Sequence, residues 1–302
     1  MRTIPYSASN ADLYTPYLRG NYFSGDESRT SAGLCAELSR LAYARKAPSR
    51  ELDQQQITSV LTRIGFAQCH FFESTNSRGG THCFTAVGTE PSSGAQVGLV
   101  VFRGTDADDP RDIGDDADLL LIPWAPGGRV HRGFAGALQE VEAELGPVVK
   151  AMACPVRFTG HSLGAALATL AASLYRPAIA QSSALHTFGS PRVGDAGFTA
   201  TLAGMSGRRF KDCTDIVTQV PLEAMGYAHV GPPHYINRDG EISFDPPDSV
   251  ILEDQAEGEI EYLRDYALKP GNVRLRNLAD HIPLNYVFAV RAGEQLRAAA
   301  KA

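Results

Sequence analysis

The residues best suited to chemistry are Gly160-His161-Ser162-Leu163-Gly164. They lie between an apolar segment that reads as a strand, Val156–Thr159, and a small-residue segment that reads as a helix, Leu163–Tyr175. A serine on so sharp a strand-to-helix turn has its hydroxyl held clear of the backbone, the arrangement called a nucleophile elbow. The flanking glycines keep side chains out of the crowded turn. Ala165, Ala166, Ala168, Thr169, Ala171 and Ala172 then let the helix lie close to its neighbours. In a chain with 29 glycines the pattern Gly-x-Ser-x-Gly is weak by itself. Its setting between strand and helix is what points to nucleophilic acyl transfer.

A serine hydroxyl attacks well only when a base takes its proton, and the base needs a carboxylate to orient it. For this kind of turn the order along the chain is serine, acid, histidine. Of the histidines after Ser162, His186 lies within a strand-like segment, while His229 and His234 lie in a Gly/Pro-rich loop where packing or a substrate wall is the ordinary expectation. His281 follows Asp280 and opens a last helical segment, Ile282–Val290, which makes it the preferred base. For the acid, Arg208 to Asp215 reads as a strand running into a loop, so Asp215 stands at a strand's carboxyl end; Asp212 is the rival and Asp195 a weaker one. Donors for a tetrahedral oxyanion would be the backbone N–H of Leu163 and the backbone N–H and hydroxyl of Thr105, which follows the apolar strand Gln96–Phe102.

Several elements must hold these groups in place. Helical spacing of apolar residues appears from about Thr30 to Arg45, from about Ser49 to Arg63 and over Gly136–Lys150, and strand-like runs at Phe66–Phe72, His82–Val87, Gln96–Phe102 and Ala184–Phe188. Strands alternating with helices imply a mainly parallel sheet with helices on both faces, in one domain. Leu119–Trp124 is expected to be a buried strand in preference to a hydrophobic rim.

Charge and composition exclude some functions. Twenty-eight basic against 34 acidic residues leave a net charge of −6 and no basic run, which argues against attachment to nucleic acid by counterion release. The longest apolar stretches, Leu119–Ile122 and Ala165–Ala172, fall far short of a membrane span. No apolar run follows Arg2, so no signal peptide is read, and the location is expected to be cytoplasmic or, with a signal already removed, secreted. The five cysteines are widely spaced without a Cys-x-x-Cys pair, which suggests neither a zinc site nor a disulfide framework and leaves at least one free thiol.

Taken together, Val101-Phe-Arg-Gly-Thr105, Val130-His-Arg-Gly-Phe134, Phe158 to Ala168, Thr187-Phe-Gly-Ser-Pro-Arg-Val-Gly194, the Thr214-Asp-Ile-Val setting of Asp215, Gly226-Tyr-Ala-His229 and Asp280-His281 occur in an order that resembles the class 3, fungal-type lipases. The resemblance runs from roughly Leu34 to Val290. It implies an α/β-hydrolase fold, carboxylic-ester hydrolysis without a cofactor or metal, a triad of Ser162, Asp215 and His281, and an oxyanion hole at Thr105 and Leu163. It further implies an acylglycerol substrate met at a transient lipid–water interface. Three features depart from the family pattern: Ile216 stands where proline usually follows the acid, Tyr286 is further beyond the histidine than usual, and the segment in the place of an amphipathic lid, Asp106–Asp118, carries seven aspartates with Ile113 as its only large apolar residue. So acidic a segment gains little from lipid, which favours as alternative an esterase on soluble or short-chain esters, including hydroxycinnamoyl esters. Its carboxylate spacing is not that of an EF-hand calcium loop.

Overall fold

The computed structural model describes residues 4–23, 30–47, 49–74, 80–105 and 119–299. The aspartate-rich segment 106–118 therefore lies outside the described residues. Ten strands are present among them: β1 Phe66–Glu73, β2 His82–Thr89, β3 Gln96–Phe102, β4 Leu121–Pro123, β5 Arg129–His131, β6 Val156–His161, β7 Ala184–Phe188, β8 Ser206–Asp212, β9 Pro233–Ile236 and β10 Ile242–Phe244. Nine helices accompany them: α1 Asn10–Tyr14, α2 Ser31–Leu41, α3 Gln54–Arg63, α4 Arg132–Lys150, α5 Leu163–Tyr175, α6 Ala196–Ala200, α7 Asp248–Asp265, α8 Arg276–Ala279 and α9 Pro283–Ala299.

Eight strands form one sheet in the order β1-β2-β3-β6-β7-β8-β9-β10. The run from β3 to β9 is parallel, while β1, β2 and β10 add antiparallel edges. Two of the parallel strands are apolar on both faces, as double coverage requires: β7 is buried at every position and β3 at all but its first, whereas β8 is polar and only partly buried. Phe102, Phe158, Leu138 and Leu145 join the alanines of α5 in a core on one face, where α4 lies on α5. On the other face α2 and α3 cover Leu99 and Val101, and α2 with α9 covers Phe188, Phe210 and Ile236. Helices thus flank both faces, as the alternation of elements predicts.

Two expectations change. Leu119–Trp124 yields only β4, which pairs with β5 in a hairpin apart from the main sheet and is half-buried; Leu120 is exposed. Pro123 offers no N–H to extend the ladder, and Trp124 instead packs on the core with its indole N–H donating to Ser173. The loop containing His234 also hides a strand: β9 adds a further parallel member beside β8. All five cysteines are free. No helix among the described residues is long and apolar enough to cross a membrane.

Candidate active site

Because β3, β6, β7 and β8 run parallel, their carboxyl ends gather at one edge of the sheet, and the loops that leave this edge carry the candidate residues. β6 ends at His161, and Ser162 follows with φ of +60° and ψ of −130°, a region that costs a non-glycine residue about 1–3 kcal/mol. That conformation is fixed from both sides. The Ser162 N–H donates to the Phe188 carbonyl at 3.0 Å, and the Ser162 carbonyl accepts from Ala165 at 3.0 Å as α5 begins. At Gly164 a β-carbon would fall 2.3 Å from the Phe102 carbonyl oxygen, so only glycine lets α5 start this close to the end of β3. Leu163 is the first residue of α5, and its N–H belongs to the turn that has no acceptor within the helix. Thr105, just past β3, lines the same small cavity as Ser162 and His281.

Asp215 comes from the loop after β8 and is completely buried. Its two carboxylate oxygens lie 3.0 and 2.9 Å from His281 Nδ1, so this nitrogen carries the ring proton and Nε2 is left as the acceptor. Asp215 also accepts from the Val217 N–H at 2.9 Å and from the Tyr286 hydroxyl at 2.5 Å. Without the expected proline, Ile216 still enters a short turn, Ile216–Gln219, that Asp215 itself caps. Tyr286 reaches the acid because α9 starts at Pro283 and turns the tyrosine back toward β8; the Asp212 N–H donates to the same hydroxyl at 3.1 Å. Burial and the Asp215 charge keep the Tyr286 phenol well above its ordinary pKa, so it remains a donor.

Gly189, at the end of β7, makes room for this pair. Its φ of +58° suits glycine, and a β-carbon there would fall 2.8 Å from Asp215 Oδ2 and 3.0 Å from His281 Nδ1.

The sequence alternatives have other roles. Asp195 caps α6 by accepting from Phe198, and Asp212 is joined to the Tyr286 hydroxyl through its backbone. His186 lies 3.2 Å from the Ser31 hydroxyl on the far face, His229 donates from Nε2 to the Thr218 carbonyl at 2.8 Å, and His234 packs against Phe210 and Phe244. His281 is the histidine that meets Asp215.

Sequence reasoning missed the groups that support the site. His161 packs against His281 with ring centroids 4.4 Å apart and planes tilted by 36°, and it meets the Tyr43 hydroxyl at 2.8 Å. Burial, and then the neighbouring His281, hold His161 well below its ordinary pKa, so it is neutral. Asp280, fully buried, accepts from Tyr6 at 2.8 Å, from the Thr214 N–H at 3.0 Å, from the Thr214 hydroxyl at 2.8 Å and from Arg276 Nε at 3.1 Å. It therefore ties the residue before Asp215 to the residue before His281. The adjacency Asp280-His281 was the one signal of this in the sequence; its partners Tyr6 and Thr214 lie 274 and 66 positions away.

Residues 99–225 match the family model described as Lipase (class 3). The matched segment runs from β3 past β8, carries Thr105, Ser162, Leu163 and Asp215, and stops before His281. A stretch of 150 residues is 35% identical to the lipase of Rhizomucor miehei, covering 45% of this chain and 41% of that protein. Another of 101 residues is 39% identical to the secreted mono- and diacylglycerol lipase A of Penicillium camembertii, covering 28% of this chain and 33% of that one. The chain thus spans about two fifths or less of the length of these curated relatives. A solved lipase from Rhizopus microsporus var. chinensis superposes with a TM-score of 0.56 at 24% identity, over 76% of this chain and 88% of that chain, a likeness of fold. The fold of the chain is the α/β-hydrolase fold.

Proposed function

We propose that the protein is a serine hydrolase of carboxylic esters whose substrates are acylglycerols. The observation that carries this reading is the pairing of His281 Nδ1 with Asp215 at 2.9 Å beside a serine held in a strained strand-to-helix turn, with Ser162, His281 and Thr105 lining one cavity. In the proposed reaction Ser162 Oγ attacks the ester carbonyl while His281 Nε2 takes its proton. Asp215 holds the ring and stabilises its charged form. The Leu163 N–H, with the N–H and hydroxyl of Thr105, receives the negative charge that develops on the carbonyl oxygen. His281 then gives the proton to the leaving alkoxide, and water repeats the sequence in reverse on the acyl-enzyme. The acylglycerol assignment is supported by the match of residues 99–225 to the class 3 lipase model and by the likeness to the lipase of Rhizomucor miehei.

A second reading is an esterase on soluble esters, favoured by the seven aspartates between Asp106 and Asp118, which suit a water-facing segment better than a lipid-seeking one. Rates measured across the solubility limit of one ester separate the two. A jump above the limit marks an enzyme of the lipid–water interface, and plain saturation marks the esterase. The chemistry itself is tested with a phosphonate ester that labels active serines. Labelling at Ser162 is expected, together with at least a ~10⁴-fold fall in ester hydrolysis for Ser162→Ala. A Ser162→Ala protein with near-normal activity would end the proposal.

A further inference from the structure

The roomiest of the cavities described here is not the one over Ser162. On the sheet face that carries α5 and α6, β7, β8, the loop before β9 and α6 enclose about 530 Å³, within the ~300–1,000 Å³ typical of small-molecule sites. It shares no lining residue with the Ser162 cavity. Leu185, Leu202 and Met205 give it an apolar floor, and among the described residues no aspartate or glutamate lines it. In a chain of net charge −6 that absence is a selective feature.

Arg209 lines this cavity and stands beside Thr187, its in-register neighbour on β7. Its Nε donates to the Gly231 carbonyl at 3.2 Å, and no carboxylate pairs with the guanidinium among the described residues. Lys211, two residues further along the same face of β8, also lacks an ion pair there. The local field is correspondingly positive. Burial and the neighbouring Arg192 pull the Arg209 guanidinium down to about 10, and Asp245 and Glu223 offset this only in part; Glu223 is itself held by Arg192 at 2.7 Å. Burial and the charges of Arg209, Arg192 and Lys211 likewise keep His229, on the cavity wall, neutral. A half-buried guanidinium beside an apolar floor, with no carboxylate paired to it, offers charge-assisted hydrogen bonds to an anionic ligand.

We propose that this cavity is a second binding site that takes a single-chain amphiphile with an anionic head, the head on Arg209 and the chain along Leu185, Leu202 and Met205. A neutral chain would leave the guanidinium uncompensated, and a bare inorganic anion would leave the apolar floor wet.

Calorimetric titration with octanoate, octyl phosphate and octanol tests this. At least one of the two anions should bind no less than tenfold more tightly than octanol. Binding of both marks a site for any anionic head, and binding of octyl phosphate alone marks a phosphate site. Arg209→Met should bring the anions to the level of octanol, Arg209→Lys should keep part of the preference, and neither should change hydrolysis of a soluble ester. Should Arg209→Met fail to fold, Met205→Trp, which fills the cavity and leaves the guanidinium in place, should abolish binding of the anions. Affinity for octanol equal to that for both anions, binding of neither anion, or unchanged anion binding in Arg209→Met and Met205→Trp would overturn the proposal.

Discussion

Replacing Asp280 with alanine removes the acceptor of four hydrogen bonds in one step. The residue most damaged is Arg276, which is only 4% exposed and keeps bonds to the Gly258 and Arg238 carbonyls but loses its counter-charge. Orphaning one partner of a buried ion pair costs about 3–5 kcal/mol, a large share of the ~5–15 kcal/mol by which a domain is stable. Spread over 302 residues, that loss should lower the melting temperature by about 5–8 °C. Arg276→Met alone should cost less, because Asp280 keeps its bonds to Tyr6 and Thr214. In the double variant the lone guanidinium is gone, so the two losses should fall short of their sum by at least ~1 kcal/mol. Melting scans of the two single variants and the double one make the measurement, and kcat for a soluble ester should fall in Asp280→Ala as the loops holding Asp215 and His281 loosen. A drop below 2 °C (far under the ~5 °C expected), or strict additivity in the double variant, would refute the reasoning that this buried pair clamps the site.

Tyr286→Phe removes a donor from Asp215 and leaves the Asp212 N–H without its partner, so stability should fall by about 1–3 kcal/mol and esterase activity roughly tenfold, read by denaturant unfolding and initial rates. Gly189→Ala should keep the fold while lowering kcat at least ~100-fold, because its methyl presses on both Asp215 and His281; near-normal turnover would contradict the geometry. Burial, aided by Arg208 and Arg157, holds His186 down to about 3, and burial with Arg103 holds His82 down to about 4. The unfolded chain binds protons on these rings below its ordinary pKa of ~6.5 while the folded one does not, so their stability contribution is full above ~6.5 and is lost as pH falls toward 3 to 4, at up to ~1.4 kcal/mol per unit for each. Unfolding midpoints at a series of pH values should show this slope, and His186→Gln should flatten it.

How far the sequence reached depended on where each signal was written. β3, β7 and α5 have the bounds that their apolar runs predict, because a strand buried on both faces and an alanine-rich helix declare themselves locally. Helix α7 was silent for a physical reason. Its buried positions are Ile251, Asp254, Gly258 and Tyr262, a proper helical stripe in which Asp254 serves Tyr235 and Arg238, and the Gly258 carbonyl serves Arg276. Val250, Leu252, Ile260 and Leu263 are exposed instead, so the hydrophobic period points nowhere. Ser162 was legible from its own turn, and Asp215 and His281 from order and family pattern. The polar frame around them was not, since pairs such as Tyr6 with Asp280 exist only once the topology brings distant segments together.

The contacts of Tyr6 and Ser7 carry a consequence for how the protein comes into being. The Tyr6 hydroxyl bonds Asp280, while Ser7 exchanges backbone bonds with the Asn285 side chain at 2.7 and 2.9 Å, 278 positions later. A ribosome delivers Ser162 and Asp215 before His281, and the segment around Tyr6 waits through some 274 further residues of synthesis for its partners. The Asp215–His281 pair is accordingly completed after Ser162 is already in place. A nascent chain that has exposed Ser162 lacks the Asp215–His281 pair, and loop closures this long are slow. Under the proposed mechanism, ester hydrolysis should begin only after the chain has been read through Asn285.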